Sequence, residues 1–476
     1  MQADKVIKLK FEEDLDAFNV LDGQSRICNC LSNMLLERAN ELKIAYKQTG
    51  DEEFALMLYS KRGLRDLIPE IKKEYPFFNT VHSSPLKNVG LRSSATIQAS
   101  QKCKKGKRKG FSEWPRFKSW KASWYSLLYD EPNKGFKVEG STLVLSLGRG
   151  QNKEQRYLTL HLKEAHLLQG YTIRNLRIIR EDGKYYAIFS VKVTLPEKKH
   201  IKKAIALDPN HKNFAVGVDT EGRSIEIQSP YWIKRTDKRI DEIKAKRDRC
   251  KKKARELEVL DSQGHPTGNT YTIPSRRYKK FQEVLNKALH KRREQTKTFM
   301  FTVAHGLCKR YDCIGIGDYA PNGTGLTKAM RRSMNNFSLL GRFKEILCWT
   351  AAKSGKHYIK YDEKGTTRTC HICGYEVPDG LSPSIRQWIC PVCQTFHIRD
   401  ENAAQNGLAK VLRDLNEKGE PFGSLMPGSG LVLIQERWAW RVLPSGIHSI
   451  RSGGEMASNR KRQVIKNESM MLSTRT

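Results

Sequence analysis

The sequence has no run of about 18 apolar residues, the length a helix needs to cross a bilayer, so no transmembrane segment is expected. It also lacks the apolar stretch of a secretory leader: the N-terminus reads MQADKVIKLKFEED, charged from the fourth residue on. A disulfide framework is missing too. Of eleven cysteines, four form one tight cluster near the C-terminus and seven are scattered. In an unsecreted chain this reads as one metal site plus reduced thiols. Acidic residues are scarce: 51 Asp and Glu face 86 Lys and Arg, a formal net charge of +35. Such an excess repels itself in a compact fold unless a polyanion offsets it, and nucleic acid is the usual one. No basic amphipathic anchor helix is visible, so a membrane partner is not expected.

What is present divides into segments, and 476 residues allow two to four domains. KVIKLKF (5–11) alternates like a half-buried strand, and residues 24–74 carry helical spacing. Residues 142–194 read as strands, with Asp182-Gly183 as a hairpin turn. Together these suggest a small N-terminal β-barrel with helices inserted into it. From Lys203 on, AIALDPN, FAVGVDT and SIEIQS read as three short strands. Basic helical stretches at 236–260 and 275–310, a strand CIGIGDY, a helix at 337–354 and a strand HYIKYDE follow. That order is the RNase H plan, so the fold class expected is a multidomain α+β protein.

Between Gln101 and Tyr125 six Lys or Arg residues precede Phe111, Trp114, Phe117, Trp120, Trp124 and Tyr125. Cations on a loop meet phosphates and flat rings stack on bases. Lys104, Lys105, Lys107, Arg108, Trp114, Arg116 and Lys118 are the nucleic-acid candidates here, with the competing reading that most of the tryptophans are core.

Cys370, Cys373, Cys390 and Cys393 form CxxC–x16–CxxC. Two-residue spacing lets both thiolates of a knuckle reach one tetrahedral ion, so a structural Zn²⁺ is expected. His371 and His397 are read as bystanders, since four sulfurs close the site. Asp208 ends the apolar strand AIALD, Asp318 ends CIGIGD, and Asp400 opens a helix in HIRDENAAQNGL. An acid at the tip of a buried strand is costly unless it holds a cation or hydrogen bonds. Three such acids could converge on Mg²⁺. Alternatively, Asp208 caps a turn and Asp400 caps its helix.

The segment TTRTCHICG…CPVCQ…RDENAAQN resembles the C-terminal signature of TnpB, the guide-RNA nuclease of small transposons, and of miniature type V CRISPR (compact Cas12-like) effectors. WPRFKS (114–119) and NFSLLGRFKEIL (336–347) are similar to further motifs of that family. The resemblance implies a wedge-like β-barrel at 1–20 and 100–200 and a helical recognition insert at 21–99. It implies a RuvC nuclease domain at 203–366 and 396–415 with a zinc ribbon at 367–395. By composition, with the Gly/Pro/Ser-rich PFGSLMPGSG and a basic end, 416–476 reads as a linker and a disordered basic tail. The implied partners are guide RNA, double-stranded DNA and its displaced single strand, in the bacterial cytoplasm with the nucleoid. The oligomeric state is not read from the sequence, and a homodimer stays open.

On the family pattern Asp208 matches the first RuvC aspartate and Asp400 the last, with Arg399 beside it able to neutralise a phosphate. The middle strand of the family ends Glu-Asp-Leu; here it ends Gly317-Asp318-Tyr319. Gly317 therefore stands on the Glu position. Either Asp318 replaces the Glu through a bulge at Gly315 or Gly317, giving a Mg²⁺ site of Asp208, Asp318 and Asp400, or the protein only binds. A zinc-ribbon RNA-binding protein without a guide is the third reading.

Overall fold

The structure is a computed structural model that describes residues 2–104, 113–119, 126–150, 152–181, 183–210, 213–251, 255–260, 265–318, 340–382, 384–419, 434–443 and 445–451. The chain divides into two compact units, Met1–Thr194 and Leu195–Thr476. No helix among the described residues is long and apolar enough to cross a membrane.

In the first unit, β1 (Gln2–Lys10) buries Ile7 and Leu9 and exposes the alternate lysines. α1 (Leu15–Thr49) starts at Asp14, whose carboxylate accepts the Ala17 N–H, and stops at Gly50 with φ 71°. Its buried stripe of Leu21, Cys28, Leu31 and Leu35 recurs at helical spacing. α2 (Glu52–Tyr59), α3 (Gly63–Asp66), α4 (Ile68–Glu74) and α5 (Ser83–Lys104) complete a helical insert that begins at residue 15 rather than 21. Six strands follow: β2 (Ser126–Tyr129), β3 (Phe136–Glu139), β4 (Thr142–Arg149), β5 (Gln155–His161), β6 (Thr172–Glu181) and β7 (Lys184–Thr194). Among the described residues they form two antiparallel sheets, β1-β7-β6-β2 and β3-β4-β5, joined at a Phe11–Leu162 bridge.

The second unit is built on a sheet of order β14-β13-β8-β9-β10-β17-β18. β8 (Ala204–Pro209), β9 (Ala215–Asp219) and β10 (Arg223–Ile227) form an antiparallel meander. After α6 (Tyr231–Lys251) comes a hairpin, β11 (Arg255–Leu260) and β12 (Pro266–Ile273), where helix had been expected up to residue 260. RELEVL alternates charged and apolar residues with period two, and PTGNTYTI is rich in β-branched residues; both patterns favour strand. α7 (Arg276–Arg310) leads to β13 (Cys313–Gly317), parallel to β8. α8 (Leu340–Lys353) leads to β14 (His357–Tyr361), parallel to β13. β15 (Gln387–Ile389) and β16 (Phe396–Ile398) pair in the cysteine segment, and α9 (Arg399–Glu417) follows directly.

The expected disordered tail is corrected in part. β17 (Glu436–Leu443) adds parallel to β10, and β18 (Gly446–Arg451) turns back on it. ERWAWRVL carries strand alternation, and its Trp440 is fully buried in the core. One face of the sheet packs Ile205, Leu207, Ile314 and Ile316 against α7 and α8. The other packs Ala204, Ala206, Cys313, Ile359 and Tyr361 under Ala404, Leu408, Val411 and Leu412 of α9.

Candidate functional site

α9 lies flush on its face because the contact residues are small. A Cβ on Gly315 would stand 2.3 Å from Val411 Cγ2, and one on Gly407 would stand 2.5 Å from the Tyr361 hydroxyl oxygen. With Ala403 and Ala404 fully buried, the first turn of α9 comes down at the C-terminal tip of β8. This brings Asp400 toward Asp208. Asp208 is 7% exposed, and its carboxylate has no hydrogen-bond partner among the described residues. Burial first, then the neighbouring Glu363 and Asp400 carboxylates, push its pKa well above the usual carboxylate range, with Arg399 opposing. Asp400 accepts from Arg386 Nη1 at 3.2 Å and Asn210 Nδ2 at 3.4 Å.

The strands supply the rest. Ile316 pairs with Leu207 and Gly317 with Tyr361, so the next rung sets Gly317 beside Asp208. The Tyr361 hydroxyl reaches across β13 and donates to Leu207 O at 2.7 Å. Asp318, one residue on from Gly317, follows the alternation toward the opposite face, and its Oδ1 accepts the Glu363 N–H at 3.2 Å. The structure thus gathers Asp208, Asp400 and Glu363 on the α9 face, and Asp318 stands behind them. The sequence reading missed Glu363, which lies two residues past the end of β14. The three acids do not bring one oxygen each to within 4.8 Å of one another.

The four cysteines are closer. All four Sγ atoms lie within 4.8 Å of one another, with Cys370–Cys393 at 3.6 Å and Cys373–Cys390 at 3.5 Å. Tetrahedral zinc with Zn–S near 2.3 Å needs sulfurs about 3.8 Å apart, so the set fits that ion. Each knuckle closes on a backbone bond, Gly374 N–H to Cys370 O and Gln394 N–H to Cys390 O, with positive φ at Gly374 and Gln394. Hydrogen bonding with Thr395 lowers the Cys393 thiol pKa to about 6. His397 Nε2 lies 3.1 Å from Cys370 Sγ, and burial beside His371 lowers its pKa to about 4.

Two asparagines of α9, also missed, fasten the cysteine segment. Asn402 Oδ1 accepts the His371 N–H, and the Asn402 and Asn406 side-chain amides both donate to Thr369 O, at 2.8 and 2.7 Å. Next to Asp400, Glu401 is clamped by Ser224 and by a two-pronged pair from Arg437 of β17, at 2.9 and 3.1 Å.

The nucleic-acid candidates are scattered in kind. Lys105, Lys107 and Arg108 lie outside the described residues, as does the Lys104 side chain. Trp114 is anchored: its indole N–H donates to Asn40 Oδ1 at 2.8 Å, and Lys43 Nζ sits 3.9 Å over the ring. That favours the core reading of this ring over base stacking. Arg116 is 82% exposed and pairs with Glu113. Burial and then Arg92 lower the Lys118 pKa to about 8. Arg399 Nη1 donates to Ser382 O at 3.3 Å, while its Nε is buried without a hydrogen bond.

The family model of the Cas12f1-like TNB domain matches residues 341–406, which hold α8, β14, the cysteine cluster and the first turns of α9. A CRISPR-associated DNA-binding protein Cas12m of Allomeiothermus silvanus is 29% identical over 129 residues, 25% of this chain and 23% of that protein. A TnpB-like protein of Acanthamoeba polyphaga mimivirus is 30% identical over 147 residues, 30% of this chain and 28% of that protein. The matches thus span about a quarter of the length of these curated relatives. A solved Cas12f1 chain, from a complex with single-guide RNA and target DNA, shares the fold with a TM-score of 0.51 at 11% identity, over 85% of this chain and 98% of that one. These matches make the chain similar to TnpB-like and compact Cas12-like proteins over the segment that holds the cysteine cluster.

Proposed function

We propose that the protein is an RNA-guided DNA endonuclease whose second unit carries a RuvC-type, RNase H-like nuclease centre. The observation that carries this reading is Asp208: a buried carboxylate with no hydrogen-bond partner among the described residues, at a strand tip, facing a second acid on the first turn of α9. Such a group destabilises the fold unless a cation meets it. The donor set is all oxygen, which suits Mg²⁺. When bound there, Mg²⁺ would lower the pKa of a water and offset charge on a phosphodiester. Asp208 and Asp400 would hold it, with a third acid from the β13–β14 end; the sequence nominates Asp318. Hydrolysis then forms a bond from the water oxygen to phosphorus and breaks the bond to the leaving sugar oxygen, which ends with a proton from that water. Arg386 and Arg399 stand beside Asp400 as phosphate-side cations.

The four cysteines would hold Zn²⁺, closed to chemistry, and fold the ribbon between β14 and α9. The net charge of +35 fits guide RNA and DNA as partners, contacted mainly through phosphates while base pairing supplies the sequence. The first unit would read a short motif on duplex DNA. A second reading, guided binding without cutting, is favoured by Gly317 and by the match to a relative named as a DNA-binding protein.

The test is to purify the protein with its co-expressed flanking RNA and challenge it, with Mg²⁺, with a plasmid library carrying a matched target beside randomised bases. Cutting of a motif-defined subset, lost in Asp208→Ala, supports the endonuclease. Binding of that subset without cutting supports the second reading, and no guided binding overturns both.

A further inference from the structure

We propose that Glu363, delivered from the end of β14, is the third carboxylate of the Asp208–Asp400 centre and replaces a side chain that β13 lacks at Gly317. This rests on the reading of that centre as a cation site and deepens it. The geometry is direct. An ideal Cβ built on Gly317 would lie 1.8 Å from Glu363 Oε1 and 2.4 Å from its Cδ. The Glu363 carboxylate therefore occupies the space in which a side chain at position 317 would begin. Gly317 lies one residue past the Ile316–Leu207 pair, as Asp208 does on β8, and the Glu363 carboxylate is near enough to Asp208 to raise its pKa. The glycine and the displaced acid are two halves of one arrangement: the strand that gives up its side chain makes room for an acid from the strand beside it.

Facing supports the same assignment. Glu363 follows Tyr361 by two residues, and Tyr361 and Ile359 both belong to the α9 face. Asp208 and Asp400 meet on that face. Asp318 is out of phase by one residue. It accepts the Glu363 N–H, while its own N–H donates to Tyr361 O. On the far side of the turn, Thr366 donates to Glu363 O from both its N–H, at 3.1 Å, and its hydroxyl, at 2.9 Å. Asp318 is thus a positioning residue that fixes the turn carrying Glu363. The sign that this cluster takes a ligand, and is not merely acidic surface, is Asp208: 7% exposed, its carboxylate without a hydrogen-bond partner among the described residues, and directed at the other two acids.

The experiment reads cation binding separately from cutting. The melting temperature of the full-length protein is followed against MgCl₂, and RNA-guided target binding and cleavage are measured on the same preparations. The variants are Glu363→Gln, Asp318→Asn, the double exchange Gly317→Glu with Glu363→Gly, and Glu345→Gln, which removes an exposed charge from α8. The expected result is a Mg²⁺-dependent rise in wild type and Glu345→Gln that is lost in Glu363→Gln together with cleavage, while guided binding persists. The double exchange returns the carboxylate to β13 and restores both the rise and cleavage. Asp318→Asn keeps an acceptor for the Glu363 N–H and so weakens the rise without abolishing it. The assignment is overturned if Glu363→Gln keeps the wild-type rise, if Asp318→Asn alone abolishes it, or if wild type shows no rise. A rise lost only in Glu363→Gln with no cleavage by any variant supports the Glu363 assignment and overturns the endonuclease reading.

Discussion

Asp312 and Asp208 are carboxylates of the same sheet with opposite energetics. Asp312, at the entry to β13, accepts the Lys202 and Lys203 N–H groups and the Lys356 ammonium at 2.7 Å. Burial opposes its charge, but Lys356 and the two amides outweigh it, and its pKa lies below the usual value. A depressed folded-state pKa contributes stability above the unfolded pKa, and that contribution fades as pH falls through the folded value. Asp312→Ala is expected to cost about 2–4 kcal/mol at neutral pH by stranding Lys356 and two amides. Urea melts taken from pH 7 downward should show the gap from wild type narrowing as the carboxylate protonates.

Asp208 carries the other sign. Burial, then Glu363 and Asp400, raise its pKa, so ionisation disfavours the folded state as pH rises above the unfolded carboxylate value. Asp208→Asn should therefore melt about 2–4 °C higher than wild type at pH 7 without divalent ions. It should also fail to cleave; a variant that melts lower than wild type would contradict the uncompensated-charge account. Both aspartates were equally plain as letters. What separates them is which groups the fold sets around each, and only Asp208 was singled out from the sequence because it alone ends an apolar strand.

At the scale of elements, α9 is the joint between sheet, cysteine cluster and acids. Asn402→Ala would strand the His371 N–H and remove a donor from Thr369 O, at a cost of about 1–3 kcal/mol. The effect should concentrate in the cysteine segment: hydrogen exchange at His371 and zinc release to a chelator should quicken more than global unfolding does. Equal acceleration everywhere would mean that Asn402 does not fasten this segment. The cysteine cluster itself was legible because CxxC is a local constraint that two residues of backbone impose. The asparagine clasp was not, since a helix's Asn at one position looks like its Asn at any other until its neighbours are known. The strand at 255–260 reads as helix in the sequence because basic residues dominate its surroundings and mask a period-two pattern. β17 was misread because a Gly/Pro-rich stretch before it suggested that order had ended.

For the whole molecule, a charge of +35 makes RNA affinity a salt measurement. Six to ten phosphate contacts would lose about 10³-fold or more in affinity between about 50 and 200 mM salt. Filter binding across that range should show it, and a flat response would remove the polyanion argument. β17 and β18 extend the main sheet of the second unit and lend Arg437 to Glu401 beside Asp400. Truncation after residue 419 would remove the buried Trp440, worth about 3–5 kcal/mol by itself. The second unit should then lose its cooperative melt, whereas a dispensable tail would leave it unchanged.

The sequence by itself determined the charge, the four-cysteine cluster, the apolar strands and the acids Asp208 and Asp318 that follow them. These depend on composition, on spacing over a few residues and on alternation, all of which are local. Which further acid comes up beside Asp208 was decided only by the tertiary structure. That choice depends on a strand register and on one absent side chain, Gly317, whose empty space is filled from the neighbouring strand by Glu363. The register pairs Gly317 with Tyr361, residues 44 positions apart, and no local pattern at either position records it.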